Sequence, residues 1–163
     1  MKCYNCGQAE LRAQRGVYEY DLAGLPYPIV LVGVPFDVCP ACGERAVTIP
    51  DPEGLHRLLA LHIVEADRPL LGQELRFLRK FLGKSAEDMT ALLGVDTKTL
   101  SRWENGRQKM GKVAERLLRL LVHQKLVPEA STFAEDVFPG LQEEGEAVAV
   151  TFTASEGGWK EAA

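Results

Sequence analysis

Two pairs of cysteines near the start of the chain have the spacing of metal ligands. The segments CYNCG and CPACG contain Cys3 with Cys6 and Cys39 with Cys42, and a glycine follows each pair. A Cys-x-x-Cys turn brings two sulfur atoms within reach of one ion, and the glycine can take the backbone conformation that turns amide hydrogens toward them. We therefore expect the four thiolates to form one tetrahedral site that holds a structural Zn²⁺.

Other chemistry is compatible with the same cysteines. Four sulfur ligands also suit iron, and the CPACG segment is similar to the knuckles of rubredoxins. A pair of disulfides is disfavoured because we expect a cytoplasmic protein, where thiols stay reduced. A redox Cys-x-x-Cys normally begins a helix in a βαβ unit, and no such unit is predicted here.

A second chemical pattern lies in GVDTKTLSRWENGR, residues 94–107. A helix that starts at Thr97 would turn Leu100 and Trp103 toward the core and leave an outward stripe with two cationic side chains. Such a helix fits the major groove of DNA, where an arginine can hold a guanine edge with two hydrogen bonds. The alternative is an ordinary solvated face. The expected DNA-facing residues are Thr97, Lys98, Ser101, Arg102 and Asn105.

Contacts to phosphate should be separate from contacts to bases. The amide end of a helix that begins at Ser85, together with Lys84, is one place where a phosphate could bind. The loop after the DNA-facing helix, with Arg107, Gln108 and Lys109, is another. These contacts would fix the position of the protein on the duplex without reading its sequence.

The charge of the chain is strongly segregated, although its total is only −4. Residues 1–67 hold 5 basic and 9 acidic side chains, residues 68–125 hold 13 and 6, and residues 126–163 hold 1 and 8. The middle segment therefore carries a net charge of +7 between two acidic segments. A basic segment of that size is typical of a nucleic-acid binder.

The elements that must position the cysteines are short strands. Short strands are expected at residues 11–20 and 29–34, and they predict a zinc-ribbon-like β unit with an inserted hairpin. Asp51 and Pro52 then predict the start of a helix that continues to about Glu65. The segment DRP, residues 67–69, is the expected domain boundary.

The elements that must position the cationic stripe are four short helices. The first begins near Gly72, the second opens with the cap Ser85 and Asp88, and the third follows a turn at Gly94. The last, from about Lys112 to Lys125, should bury Val113, Leu117, Leu120 and Leu121. Two short helices joined by a tight glycine turn, with flanking helices, predict a helix-turn-helix domain.

The segment after this domain is acidic and contains one strand pattern, Ala147–Thr153. That strand could pair with a second copy of the chain, add to the sheet edge of a partner, or stay disordered. The expected fold is α+β: a zinc-binding β domain with a linking helix at 1–67, a helix-turn-helix domain at 68–125, and an acidic tail at 126–163.

The cysteine knuckles and the segment LSRWENG together resemble the MqsA (YgiT-type) antitoxin family, whose second half is an Xre-type helix-turn-helix. The resemblance covers about residues 1–125. It implies that the cysteines hold zinc, that the second domain dimerises on palindromic operator DNA, and that the first domain binds a toxin ribonuclease. The base-reading positions of the family would fall on Lys98 and Arg102. The best-known member of the family commonly has an amide residue where Lys98 stands, so the resemblance does not supply the operator sequence.

The function expected from the sequence is that of a DNA-binding repressor, the antitoxin of a toxin–antitoxin module. One alternative is a free-standing Xre-family regulator without a toxin, and another is an iron electron carrier. No grouping of side chains predicts catalysis, so we expect no enzyme. The longest apolar run, Pro28–Phe36, is far shorter than the ~20 residues of a membrane helix, and no export signal is found. We therefore expect the cytoplasm.

Overall fold

The computed structural model describes residues 1–128 and 145–162, and the chain divides into two units. The first unit comprises Met1–Asp21, Pro28–Leu55 and Ala149–Ala163, and the second comprises Leu22–Tyr27 and His56–Val148. Strands build the first unit and helices build the second, which gives the α+β fold expected from the sequence. The strands are β1 Arg12–Glu19, β2 Ile29–Val38, β3 Arg45–Val47, β4 Val150–Ser155 and β5 Gly158–Glu161. The helices are α1 Pro52–Glu65, α2 Gly72–Phe81, α3 Ala86–Leu93, α4 Thr97–Glu104 and α5 Lys112–Leu126.

Strand β2 is the centre of the first unit. It pairs antiparallel with β1 along most of its length and with β3 near its end, and it pairs parallel with β4 near its start. Ile29 and Leu31 are buried at a period of two, and so are Val34 and Phe36, but the alternation is broken at Gly33, where the pairing with β1 shifts its register. The irregularity lets both pairs of side chains reach the core. Cys39 follows directly on the end of this strand.

The end of the chain forms a hairpin that extends the same sheet. Strand β4 pairs with β2 from Ile29↔Val150 to Val32↔Thr153, and β5 pairs antiparallel with β4. The side chain of Phe152 is fully buried, and the indole N–H of Trp159 donates to the carbonyl of Pro50 at 2.9 Å. The strand pattern thus pairs within its own chain, which is none of the three arrangements expected from the sequence. Residues 129–144 of the acidic tail lie outside the described residues.

Local sequence signals fix the boundaries of the helices around the turn. The hydroxyl of Ser85 accepts from the amide of Asp88 at 3.0 Å, and the carboxylate of Asp88 accepts from the amide of Ser85 at 3.0 Å. Gly94 ends α3 with a φ of +67°, a conformation that glycine takes without strain. Asp96 then caps α4 by accepting from the amide of Thr99 at 2.7 Å. These caps agree with the prediction for a helix-turn-helix.

The prediction of which side of α5 is buried is wrong. Val113 is 84% exposed, and Leu117 and Leu120 are 37% and 40% exposed. The side that packs inward carries Leu118 and Val122 together with the charged residues Glu115 and Arg119. The prediction assumed that only apolar residues face inward. It chose the wrong side of α5 because an ion pair occupies two of the inward positions. The exposed apolar side is available for another contact.

Arg119 joins α5 to the segment after α1. Its guanidinium donates to the carbonyls of Val64 and Ala66, each at 2.8 Å, and to the carboxylate of Glu115 at 2.8 Å. Arg119 has no solvent exposure, so these bonds replace water at a fully buried charge. The end of α1 is therefore held by the helical unit.

Glu74 organises a second buried polar group in this unit. It forms two hydrogen bonds with the guanidinium of Arg68, at 2.6 and 2.9 Å, and it accepts from the hydroxyl of Tyr27 at 2.7 Å. Burial beside this carboxylate raises the pKa of Tyr27, so the phenol keeps its proton. The same carboxylate also accepts from the amide of Leu71, which caps the start of α2.

Candidate metal centre and candidate nucleic-acid interface

The four cysteines come together at the end of β2. Their sulfur atoms all lie within 4.8 Å of one another, and none forms a disulfide. The Sγ atoms of Cys3 and Cys42 are 3.8 Å apart, and those of Cys6 and Cys39 are 3.6 Å apart. A tetrahedron with Zn–S bonds of about 2.3 Å has edges of about 3.8 Å, whereas a disulfide needs a bond of about 2.05 Å. The cluster is thus positioned to bind one metal ion.

The two glycines that follow the cysteine pairs shape the turns. Gly7 and Gly43 have φ angles of +65° and +74°, where a side chain would be strained. Each donates its amide hydrogen back to the first cysteine carbonyl of its own knuckle, at 2.9 Å. The predicted glycine conformation is present, although the two glycine amides bond to carbonyl oxygens rather than to sulfur.

The thiols of the cluster influence one another strongly. The amide of Cys42 donates to the sulfur of Cys39 and lowers the pKa of Cys39 to about 7. The pKa of Cys42 is raised to about 11: the amide of Glu44 lowers it, but burial and hydrogen bonds with the other three thiols raise it more. Four sulfurs this close resist carrying four negative charges by themselves. A divalent cation supplies the missing positive charge, which fits a thiolate metal site.

Two side chains that the sequence analysis missed support the second knuckle. The hydroxyl of Tyr4 donates to Oε1 of Glu44 at 2.8 Å, and this hydrogen bond raises the pKa of Tyr4. The amide of Asn5 donates to Oε2 of Glu44 at 3.3 Å and approaches the sulfur of Cys42 at 3.8 Å. Groups of this kind orient metal ligands. No spacing rule could have identified them, because they join the two knuckles across the fold.

Helix α4 presents the expected cationic stripe to solvent. Leu100 and Trp103 are buried, with exposed fractions of 1% and 6%. The five residues expected to face DNA share the opposite side of the helix. All of them are exposed: Thr97, Lys98, Ser101, Arg102 and Asn105.

Glu104, at the end of α4, is neutralised by two arginines of α2. Its carboxylate accepts from Nε of Arg79 at 2.6 Å and from Nε of Arg76 at 3.4 Å, and Glu104 is only 8% exposed. Arg76 also donates to Oδ1 of Asn105 at 3.0 Å. This network fixes α4 on α2 and keeps the carboxylate away from the stripe. The sequence alone does not reveal this contact, because α2 and α4 meet only in the fold.

The residues expected to contact phosphate lie at both ends of the turn region. Lys84 and Ser85 precede α3, and Arg107 and Lys109 lie in the loop after α4; all four are exposed. The hydroxyl of Ser85 is already bonded to Asp88, at 2.8 Å. A phosphate at this helix start would therefore meet the amides of the first turn and the ammonium of Lys84, with the carboxylate of Asp88 nearby.

A comparison with protein-family models identifies the family of the chain. The model of MqsA, described as the antitoxin component of a bacterial toxin–antitoxin system, matches residues 1–130. The chain belongs to the MqsA antitoxin family. Both the cysteine cluster and the helix-turn-helix fall within the matched residues, so the resemblance drawn from the sequence is confirmed.

The assignment defines the class of function. Antitoxins of this family are regulatory proteins that act with a toxin and with DNA, rather than enzymes. No curated protein matches the chain. Within the described part of the chain, no helix is long and apolar enough to cross a membrane.

Proposed function

We propose that this chain is the DNA-binding antitoxin of a type II toxin–antitoxin module and represses transcription as a homodimer on a palindromic operator. Structural Zn²⁺ is held by Cys3, Cys6, Cys39 and Cys42, and the protein acts in the cytoplasm. A toxin ribonuclease binds the β unit. The proposal is carried by the exposed cationic side of α4, which lies within the segment matched to an antitoxin family.

In this proposal α4 is the recognition helix. Arg102 and Lys98 read base edges in the major groove, and Thr97, Ser101 and Asn105 complete the contact surface. Lys84 with the start of α3, and Arg107 with Lys109, hold the phosphate backbone. The Glu104 network supports this role. Two arginines neutralise the carboxylate at the end of α4, so that its negative charge does not weaken the positive potential of the stripe.

The decisive experiment measures operator binding by Arg102→Ala, with Arg107→Ala as the control. If Arg102 reads a base, its loss should cost about 1 to 3 kcal/mol on the operator and loosen specificity at one base pair. Loss of Arg107 should weaken all duplexes alike and reduce the dependence of affinity on salt. Equal weakening of all sequences by Arg102→Ala would make Arg102 a phosphate contact, and a flat salt titration would contradict the proposed surface.

The dimer seam is proposed on the exposed apolar side of α5. Val113, Leu117 and Leu120 are spaced so that they lie along one side of this helix, and they are the side chains wrongly expected in the core. A second copy of the chain is the occupant that a two-fold operator requires. Leu117→Glu should give a monomer in analytical ultracentrifugation and weaken operator binding. Gln73→Glu adds the same charge at an exposed position on α2, away from this side of α5, and should leave the dimer intact.

Two further measurements separate the alternatives. Metal analysis of the purified protein distinguishes zinc from iron, and an iron site would also be coloured. Purification from the native host, followed by identification of bound protein and DNA, tests for the toxin. Operator DNA without any toxin would favour a free-standing Xre-family regulator.

A further inference from the structure

The two longest side chains on the exposed side of α4 can donate hydrogen bonds but cannot accept them. Lys98 ends in an ammonium group with three donors, and Arg102 ends in a guanidinium group with five. Both residues are exposed, and neither side chain forms a hydrogen bond or an ion pair with another described residue. Their charged ends are therefore available to a ligand that presents acceptor atoms.

Asn105, an exposed residue whose amide could recognise a base with two hydrogen bonds, is already bonded within the helical unit. Its Nδ2 donates to the carbonyl of Ser101 at 2.8 Å, and its Oδ1 accepts from Arg76 of α2 at 3.0 Å. A carbonyl can only accept and a guanidinium can only donate, so these two neighbours fix the orientation of the amide. An adenine would need the same two atoms of Asn105. Contact with an adenine would therefore break both bonds.

The acidic side chains at the two ends of α4 also bond within the chain. Oδ1 of Asp96 accepts from the amide of Thr99 at 2.7 Å, and Glu104 accepts from the two arginines of α2. The hydroxyl of Ser101 is short and lies 3.3 Å from Nδ2 of Asn105. The groups of this helix that reach farthest into a groove are therefore the two cationic donors.

The four bases present different edges to such donors in the major groove. Guanine presents two acceptors, N7 and O6, whereas adenine presents one acceptor beside an amino group and cytosine presents an amino group. Thymine presents one acceptor beside a methyl group. An ammonium or guanidinium group opposite an amino group meets a second donor, and both then lose their bonds to water without replacement. Guanine is thus the base that both side chains favour.

We propose that Lys98 and Arg102 each read a guanine, so that every operator half-site contains two G·C pairs, while Asn105 reads no base and positions Arg76 and the end of α4. This inference rests on the proposed function, in which α4 is the recognition helix. Lys98 and Arg102 are one helical turn apart, about 6 Å along the axis. Base pairs are stacked about 3.4 Å apart, so the two guanines lie within about two base-pair steps of each other.

The experiment selects operator sequences from a library of random duplexes with the full-length protein and measures affinities by fluorescence anisotropy. We expect two G·C pairs in each half-site, and replacement of either pair by A·T should weaken binding about tenfold. 7-Deazaguanine lacks the N7 acceptor but keeps Watson–Crick pairing. It should weaken binding at these two positions and have no effect at other guanines of the duplex.

Lys98→Gln and Lys80→Gln provide the matched pair of variants. The amide introduced by Lys98→Gln can both donate and accept, so the preference at one base pair should change from guanine to adenine. Lys80 is exposed on α2, and Lys80→Gln should keep both guanines. Asn105→Ala should lower the affinity for all duplexes by a similar factor and keep the selected sequence. A variant that only perturbs the fold would not exchange one base for another.

A half-site without these guanines, or a Lys98→Gln variant with an unchanged base preference, overturns the inference and leaves the proposed DNA-binding function intact. Loss of preference at a single base pair in Asn105→Ala would also overturn it, because Asn105 would then read that base. If the protein selects no duplex at all, the proposed function fails, and this inference fails with it.

Discussion

Buried ion pairs, rather than exposed ones, hold the helical unit together at the level of single residues. Arg119 is the clearest example, because its guanidinium donates hydrogen bonds on every side. It bonds to Glu115 on its own helix and to the carbonyls that α1 and the following segment would otherwise leave without partners. Removing one partner of such a group leaves the others buried and unsatisfied.

Arg119→Met should lower the free energy of unfolding of the helical unit by about 3 to 5 kcal/mol, since it leaves the buried Glu115 without its cation and several carbonyls without a donor. Chemical denaturation followed by helical circular dichroism measures the change. Lys80→Met, at an exposed position, should stay within about 0.5 kcal/mol of the parent protein. A small effect at Arg119 would show that water replaces its contacts.

The caps of α3 and α4 should make the stability of this unit depend on acid. The Ser85 hydroxyl lowers the pKa of Asp88, and the amide of Thr99 lowers the pKa of Asp96. A carboxyl whose pKa is lower in the folded state stabilises that state above its unfolded pKa of about 3.9, and this contribution is lost as the pH falls through the folded pKa.

We therefore expect the melting temperature of the helical unit to fall as the pH is lowered from about 4 toward 2. The double variant Asp88→Asn with Asp96→Asn should show a flatter profile in that range. An unchanged profile would mean that other carboxyl groups control the acid transition.

At the scale of elements, β2 connects the metal site to the end of the chain. Its end leads into Cys39, while its start pairs with β4. The hairpin of β4 and β5 thus completes the sheet that presents the second knuckle. Residues 1–130 match the family, so this hairpin lies beyond the matched segment.

Phe152→Ala should destabilise the β unit by about 3 to 5 kcal/mol, because the side chain is fully buried against the sheet. Hydrogen exchange of the β2 amides reports the loss directly. Val148→Ala is the matched control, since Val148 precedes β4 and is 70% exposed. Protection of β2 that is the same in both variants would contradict a structural role for the hairpin.

At the scale of the whole molecule, the positive charge that can reach DNA is smaller than the number of basic residues in the middle segment indicates. At least four of the 13 basic residues in the middle segment form ion pairs with glutamates among the described residues of the helical unit. The remaining positive charge is concentrated on fewer residues, among them those on α4 and in the loop that follows it.

Removal of the metal should unfold the β unit and leave the helical unit folded. Cys39→Ser, or a strong chelator, should abolish the folding transition of the β unit, because metal binding supplies much of the folding energy of such a small domain. The helical unit should keep its own melting transition in calorimetry. Loss of both transitions together would refute two independently folding units.

The sequence by itself determined whatever depends on neighbours along the chain. The spacing of the cysteine pairs, the glycines after them, the caps at Ser85 and Asp96, and the inward positions of Leu100 and Trp103 all follow from turn and helix geometry. Each of these signals lies within a few residues, so it survives without knowledge of the fold.

Tertiary structure decided the contacts between distant segments. The pairing of β4 with β2, the ion pairs of Glu104 with α2, and the charged inner side of α5 depend on which elements meet. A period of two or of 3.6 residues identifies the face of a strand or helix that is buried, but it does not identify the element that packs against that face. For the same reason the exposed side of α5 became visible only when the helices were packed.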